Sequence, residues 1–65
     1  MKTIKSRIWE AGNWLHDAAR ELRREGQVEH VSGIGWHDDH TVEFEFSHDG
    51  NRFLVIVEHI GTEEA

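Results

Sequence analysis

An α+β domain, one N-terminal helix packed on a three-stranded antiparallel sheet, is the fold class this sequence predicts. Three observations predict it. Apolar residues recur at steps of three and four from Ile4 to Leu22, residues alternate in polarity from Thr41 to Ser47, and an Asp49-Gly50 pair separates that run from a second apolar one. Sixty-five residues make a single small domain, residues 1–65, with room for one two-layer core. No cysteine is present, so neither a disulfide nor a thiolate-held metal can reinforce it.

The helix is expected from Ile4 to about Glu25. Ile4, Ile8, Ala11, Leu15, Ala18, Ala19 and Leu22 form its apolar stripe, Thr3 is placed as N-cap, and Gly26 follows Arg23 and Arg24 where a C-cap glycine belongs. Gly12 costs about 1 kcal/mol against alanine in a helix interior, which close packing against another element would explain. Trp9 and Trp14 lie on opposite flanks of the stripe; Trp14 is expected at the core edge and Trp9 over the edge of the first strand.

A first strand is expected from roughly Val28 to Trp36, ending at the polar tip His37-Asp38-Asp39-His40. In the next strand Val42, Phe44 and Phe46 face one way and Thr41, Glu43, Glu45 and Ser47 the other. His48-Asp49-Gly50-Asn51 is a hairpin turn, and Arg52 to about Ile60 returns, leaving residues 60–65 as a loose tail. A two-residue turn at Asp49-Gly50 sets Phe46 opposite Phe53, Phe44 opposite Val55 and Val42 opposite Val57, all facing the helix. A two-residue turn at Asp38-Asp39 would put Val31, Gly33 and Gly35 on that inner face too. Val28, His30, Ser32, Ile34 and Trp36 would then share the open face with Glu43, Glu45, Leu54, Ile56 and Glu58; a bulge would shift this register.

Charge is divided between the two halves of the chain. Residues 1–26 hold six basic and four acidic side chains, a formal +2, whereas residues 27–65 hold Arg52 against nine acids, a formal −8. An acidic sheet argues for a partner with a basic surface, and nucleic-acid-binding proteins are the commonest of those. Direct binding to a duplex is disfavoured by the same charge, because phosphate neutralisation dominates such affinity. The Arg20, Arg23 and Arg24 cluster complements the helix dipole without any ligand.

Catalysis and cofactors find little support. Ser6, Ser32 and Ser47 have no activating context, Glu43 and Glu45 have no cleft, and Gly33-Ile34-Gly35 is not a phosphate-cradling loop. The reading is therefore no enzyme and no cofactor. Among six histidines, His37, His40 and His59 would come together near Asp38 and Asp39, yet their spacing matches no standard zinc module and no metal is assigned. With His30, His37, His40, His48 and His59 among the acids, charge-driven binding is expected to weaken between about pH 7.5 and 6. No apolar run approaches membrane length and no signal peptide is evident, so a cytoplasmic protein is expected.

The partner-binding residues expected from these features are Asp38, Asp39, Glu43, Glu45, Asp49 and Glu58 for charge and Trp36 as apolar anchor. The alternative is a structural or accessory homodimer packed through the open face of the sheet. In size, lack of cysteine and acidic strands (Val42 to Ser47, His48 to Asn51 and Arg52 to Ile60 after one helix), the chain resembles the small phage-encoded anti-CRISPR proteins, several of which mimic DNA. The resemblance covers the whole chain as a profile and rests on no diagnostic motif. It implies an inhibitor acting in the host-cell cytoplasm that blocks target-DNA recognition by a CRISPR effector complex at its lysine- and arginine-rich sites.

Overall fold

The computed structural model describes residues 3–63; Met1, Lys2, Glu64 and Ala65, and with them the end of the expected tail, lie outside the described residues. Helix α1 (Ile4–Arg24) begins where expected, with the Thr3 hydroxyl accepting from the Ser6 amide at 3.0 Å. It ends as its sequence dictates. Gly26, at φ 84°, turns the chain so that its own amide donates to the Arg23 carbonyl and the Gln27 amide donates to that of Leu22. Arg23 and Arg24 stand in the last turn, where cations complement the exposed carbonyls.

Strands β3 (Thr41–His48) and β4 (Asn51–Glu58) form the hairpin in the expected register, with Phe46 opposite Phe53, Phe44 opposite Val55 and Val42 opposite Val57. Asp49 at φ 53° and Gly50 at φ 78° give both central turn residues the left-handed conformation that a type I′ hairpin turn requires. The return strand stops at Glu58 rather than Ile60.

The sheet has four strands rather than three. The expected first strand is divided into β1 (His30–Val31) and β2 (Gly35–Trp36), both antiparallel to β3. Amides of Glu29, Ser32 and His37 donate to carbonyls of Ser47, Glu45 and Thr41, so the two short strands share the β3 edge that β4 does not occupy. Val31 faces Phe46 as expected, but Gly35 faces Glu43 and Trp36 faces Val42, one residue out of the expected register. Ser32, Gly33 and Ile34 therefore oppose only Phe44 and Glu45, which is a bulge.

Hydrogen bonds hold the bulge in place. Ser32 replaces a missing ladder bond with its hydroxyl, which accepts from the Glu45 amide at 2.8 Å. Its carbonyl is left to accept from His16 Nε2 on the helix at 2.7 Å, an acceptor that requires the proton on that ring nitrogen. His16 is buried, 9% exposed, and stands edge-on to Phe44 with ring centroids 5.1 Å apart.

Ile8, Val28, Val31, Val42 and Phe44 are the buried apolar residues between helix and sheet, with Ala19, Ile34, Phe46 and Val55 packed around the Val28, Val31 and Phe44 cluster. Helix and sheet come closest at Gly12. A β-carbon there would lie 2.5 Å from Val42 Cγ2 and 3.0 Å from Ile34 Cδ1. That close approach explains a glycine in mid-helix. Gly33 and Gly35, expected on the inner face to admit the helix, meet open space instead.

Candidate functional site: the acidic open face

Residues of β3 and β4 that turn away from the helix build this face. Thr41, Glu43, Glu45 and Ser47 stand opposite Glu58, Ile56, Leu54 and Arg52 respectively. Glu43, Glu45, Leu54, Ile56 and Glu58 are thus where the sequence places them. β3 spans about 26 Å at ~3.3 Å per residue. Asp38 and Asp39 stand at one end of it and Asp49 at the other, so carboxylates run the length of the hairpin.

The bulge removes the apolar half of the expected surface. Trp36, paired with Val42, is on the helix side, where its ring stacks on Trp9 at 5.6 Å and lies 5.4 Å from Lys5 Nζ. Ile34 also packs into the core rather than on the open face, and Val28, which precedes β1 and lies outside the ladder, does so independently of the bulge. Trp36 is therefore no anchor beside Glu43 and Glu45. Among the described residues only Leu54 and Ile56 remain as large apolar side chains there. Trp9 packs over the first strand as expected. Trp14, expected at the core edge, is 66% exposed.

Local partners hold the central carboxylates. His37 Nδ1 donates to Glu43 Oε2 at 2.9 Å, and Arg52 Nη2 donates to Glu45 Oε1 at 2.8 Å. Both pairs are solvent-accessible, so each contributes at most about 1 kcal/mol and can exchange partners. Between them the missing side chains of Gly33 and Gly35 leave an open hollow of ≈ 600 Å³, bordered by Glu43, Glu45, Ser32 and Leu54. The hollow combines two carboxylates with an apolar wall, which suits the charged head and aliphatic stem of an arginine or lysine.

At the β2–β3 connection Asp38 Oδ1 accepts from the His40 amide at 2.7 Å and the Thr41 hydroxyl at 2.9 Å. The His40 amide first, and the Thr41 hydroxyl second, hold the Asp38 carboxyl below its ordinary pKa. The connection is thus a longer, carboxylate-capped turn and not the expected two-residue Asp38-Asp39 turn. Asp49 lies exposed in the hairpin turn, and Glu29 reaches the same end, accepting from the Gly50 amide at 3.1 Å. Sequence reasoning missed Glu29 as a member of this acidic end. It also missed His16 and Ser32, although glycines on both sides of Ile34 within a strand are a bulge signal.

His37, engaged with Glu43, does not form the expected cluster with His40 and His59; among the described residues no group of three or more histidines and acids is arranged to hold a metal ion. No described helix is long and apolar enough to cross a membrane. No protein-family model, curated protein or solved structure matches this chain.

Proposed function

We propose that this protein is a binding inhibitor whose acidic sheet face occupies a basic, nucleic-acid-binding surface of a target protein. The observation that carries the reading is the Glu43–Glu45 hollow on a face that also holds Glu58, with Asp38, Asp39 and Asp49 in the turns at the two ends of β3. The five described basic residues of residues 3–26 all belong to the helix, on the other side of the sheet: Lys5, Arg7, Arg20, Arg23 and Arg24. On the open face the one cation among the described lysines and arginines, Arg52, is engaged by Glu45. Such separation gives the molecule a negative side that would steer it onto a positive groove. Arginine or lysine side chains that otherwise hold phosphates would exchange with His37 and Arg52 at the two glutamates. A CRISPR effector complex is the target class suggested by the resemblance to anti-CRISPR proteins.

The test is capture at low salt from lysate of the native host, using the wild-type chain and the Glu43→Lys/Glu45→Lys variant, with duplex DNA as competitor. The expected result is a nucleic-acid-binding protein held by the wild type, released by duplex DNA or added salt, and not held by the variant. A partner retained equally by both chains, or indifferent to DNA, overturns the proposal.

A further inference from the structure

Only five apolar residues are buried among those described, whereas ten large apolar side chains are exposed. Two of the ten, Trp9 and Trp36, cover each other. The other eight gather on the β4 side of the molecule. Arg7, Ile8 and Ala11 border a groove against Val57–Gly61, which identifies the helix flank that overhangs β4. At 100° per residue Ile4, Leu15 and Leu22 fall on that flank, with Trp14 just beyond it. Phe53, Leu54 and Ile56 lie on β4 itself, and Ile60, 94% exposed, follows it. Exposed apolar side chains on both faces of β4 and on the helix flank beside it mark an interaction surface.

β4 is an unprotected edge. Carbonyls of Thr41, Glu45 and Ser47 point to β1 and β2, so Val42, Phe44, Phe46 and His48 pair with β4 through Val57, Val55, Phe53 and Asn51. The amides and carbonyls of Arg52, Leu54, Ile56 and Glu58 consequently point outward, where no strand of the described residues meets them. The eight residues of β4 include no proline and no charge on the helix side, and its charged residues, Arg52 and Glu58, stand near its two ends.

The strand is also complementary to itself. Turned antiparallel about Val55, Arg52 meets Glu58, Leu54 meets Ile56 and Phe53 meets Val57, each pair occurring twice and each on a matching face. The outward backbone groups come into register in the same arrangement. A shift by two residues sets Arg52 against Ile56 or Glu58 against Leu54, and a shift by one mismatches the faces.

We infer that two copies of this chain pair antiparallel through β4, with the two-fold axis at Val55 and Arg52 facing the partner's Glu58. The sheets join into one, the overhanging helix flanks meet across the axis, and Trp14 and Leu15 gain cover. Helix contact adds to the strand pairing toward the about 800 Å² per partner that stable interfaces bury. The acidic open faces stay uncovered and become one continuous surface.

Sedimentation equilibrium with charge-reversed chains tests the pairing. The wild type is expected to dimerise, and Arg52→Glu and Glu58→Arg, each placing like charges opposite one another twice, should each weaken the dimer about tenfold or more. An equimolar mixture of the two variants restores both opposite-charge pairs and should recover the dimer. In the wild type, amide exchange at Leu54 and Ile56 should be slow and become faster on dilution. A wild type that stays monomeric up to its solubility limit overturns the inference. So does a dimer indifferent to both reversals, a mixture no tighter than either variant alone, or Leu54 and Ile56 amides that exchange as freely as exposed ones.

Discussion

Replacing His16 by leucine should destabilise the domain by about 2 kcal/mol. Its Nε2 supplies the hydrogen bond that satisfies the Ser32 carbonyl freed by the bulge. Leucine would leave that part-buried oxygen without a donor, a loss of about 1–2 kcal/mol. The edge-on contact with Phe44 is worth about 0.5–1.5 kcal/mol more, against which the better helix propensity of leucine returns a few tenths. In a chain of this size each kcal/mol moves Tm by roughly 4–8 °C, so melting should fall by about 8–16 °C. Thermal unfolding by circular dichroism, at one fixed chain concentration, measures it. Glutamine, whose amide can still donate, should recover part of the loss. A leucine variant that melts within about 2 °C of wild type would refute the assignment of His16 as the bond that fixes the bulge.

Trp36→Ala should lower stability by about 1–2 kcal/mol through loss of the Trp9 stack and the Lys5 contact, with partner capture retained; lost capture at unchanged Tm would return Trp36 to the binding site. Gly35→Val meets no clash and suits a strand, so it should fold at least as well as wild type while filling the hollow and weakening capture; unchanged capture would remove the hollow from the account. The Asp38 carboxyl should titrate below the ordinary value of about 3.9 in an NMR pH series, because the His40 amide and then the Thr41 hydroxyl favour its charged form. Its folded pKa is the lower one, so the stability it supplies is present above the unfolded value and lost as pH falls through the folded one. A midpoint at or above the ordinary value would contradict the turn geometry.

Legibility of the fold followed the range of the interactions that decide it. Helix α1 is set by neighbours in sequence, from the Thr3 cap to the Gly26 turn, and the β3–β4 register by a two-residue turn that leaves no slack. The bulge is different. It depends on a histidine 16 positions away from the carbonyl it satisfies, and one extra residue there reverses the faces of Ile34 and Trp36. Alternation alone carries no trace of such a contact, so the placement of Glu43, Glu45 and Glu58 on the open face was legible while the side of the sheet on which Trp36 lies was not. Trp14 was misplaced for a related reason: a single-chain core was expected to absorb an apolar flank that the fold leaves outside.

Competition for a labelled duplex on the purified captured protein tests the central claim most directly. Wild-type chain should displace the duplex stoichiometrically, and Glu43→Lys/Glu45→Lys should leave it bound. A ternary complex of chain, target and duplex, or equal displacement by wild type and variant, would contradict the assignment of the acidic face as the occupant of the nucleic-acid site.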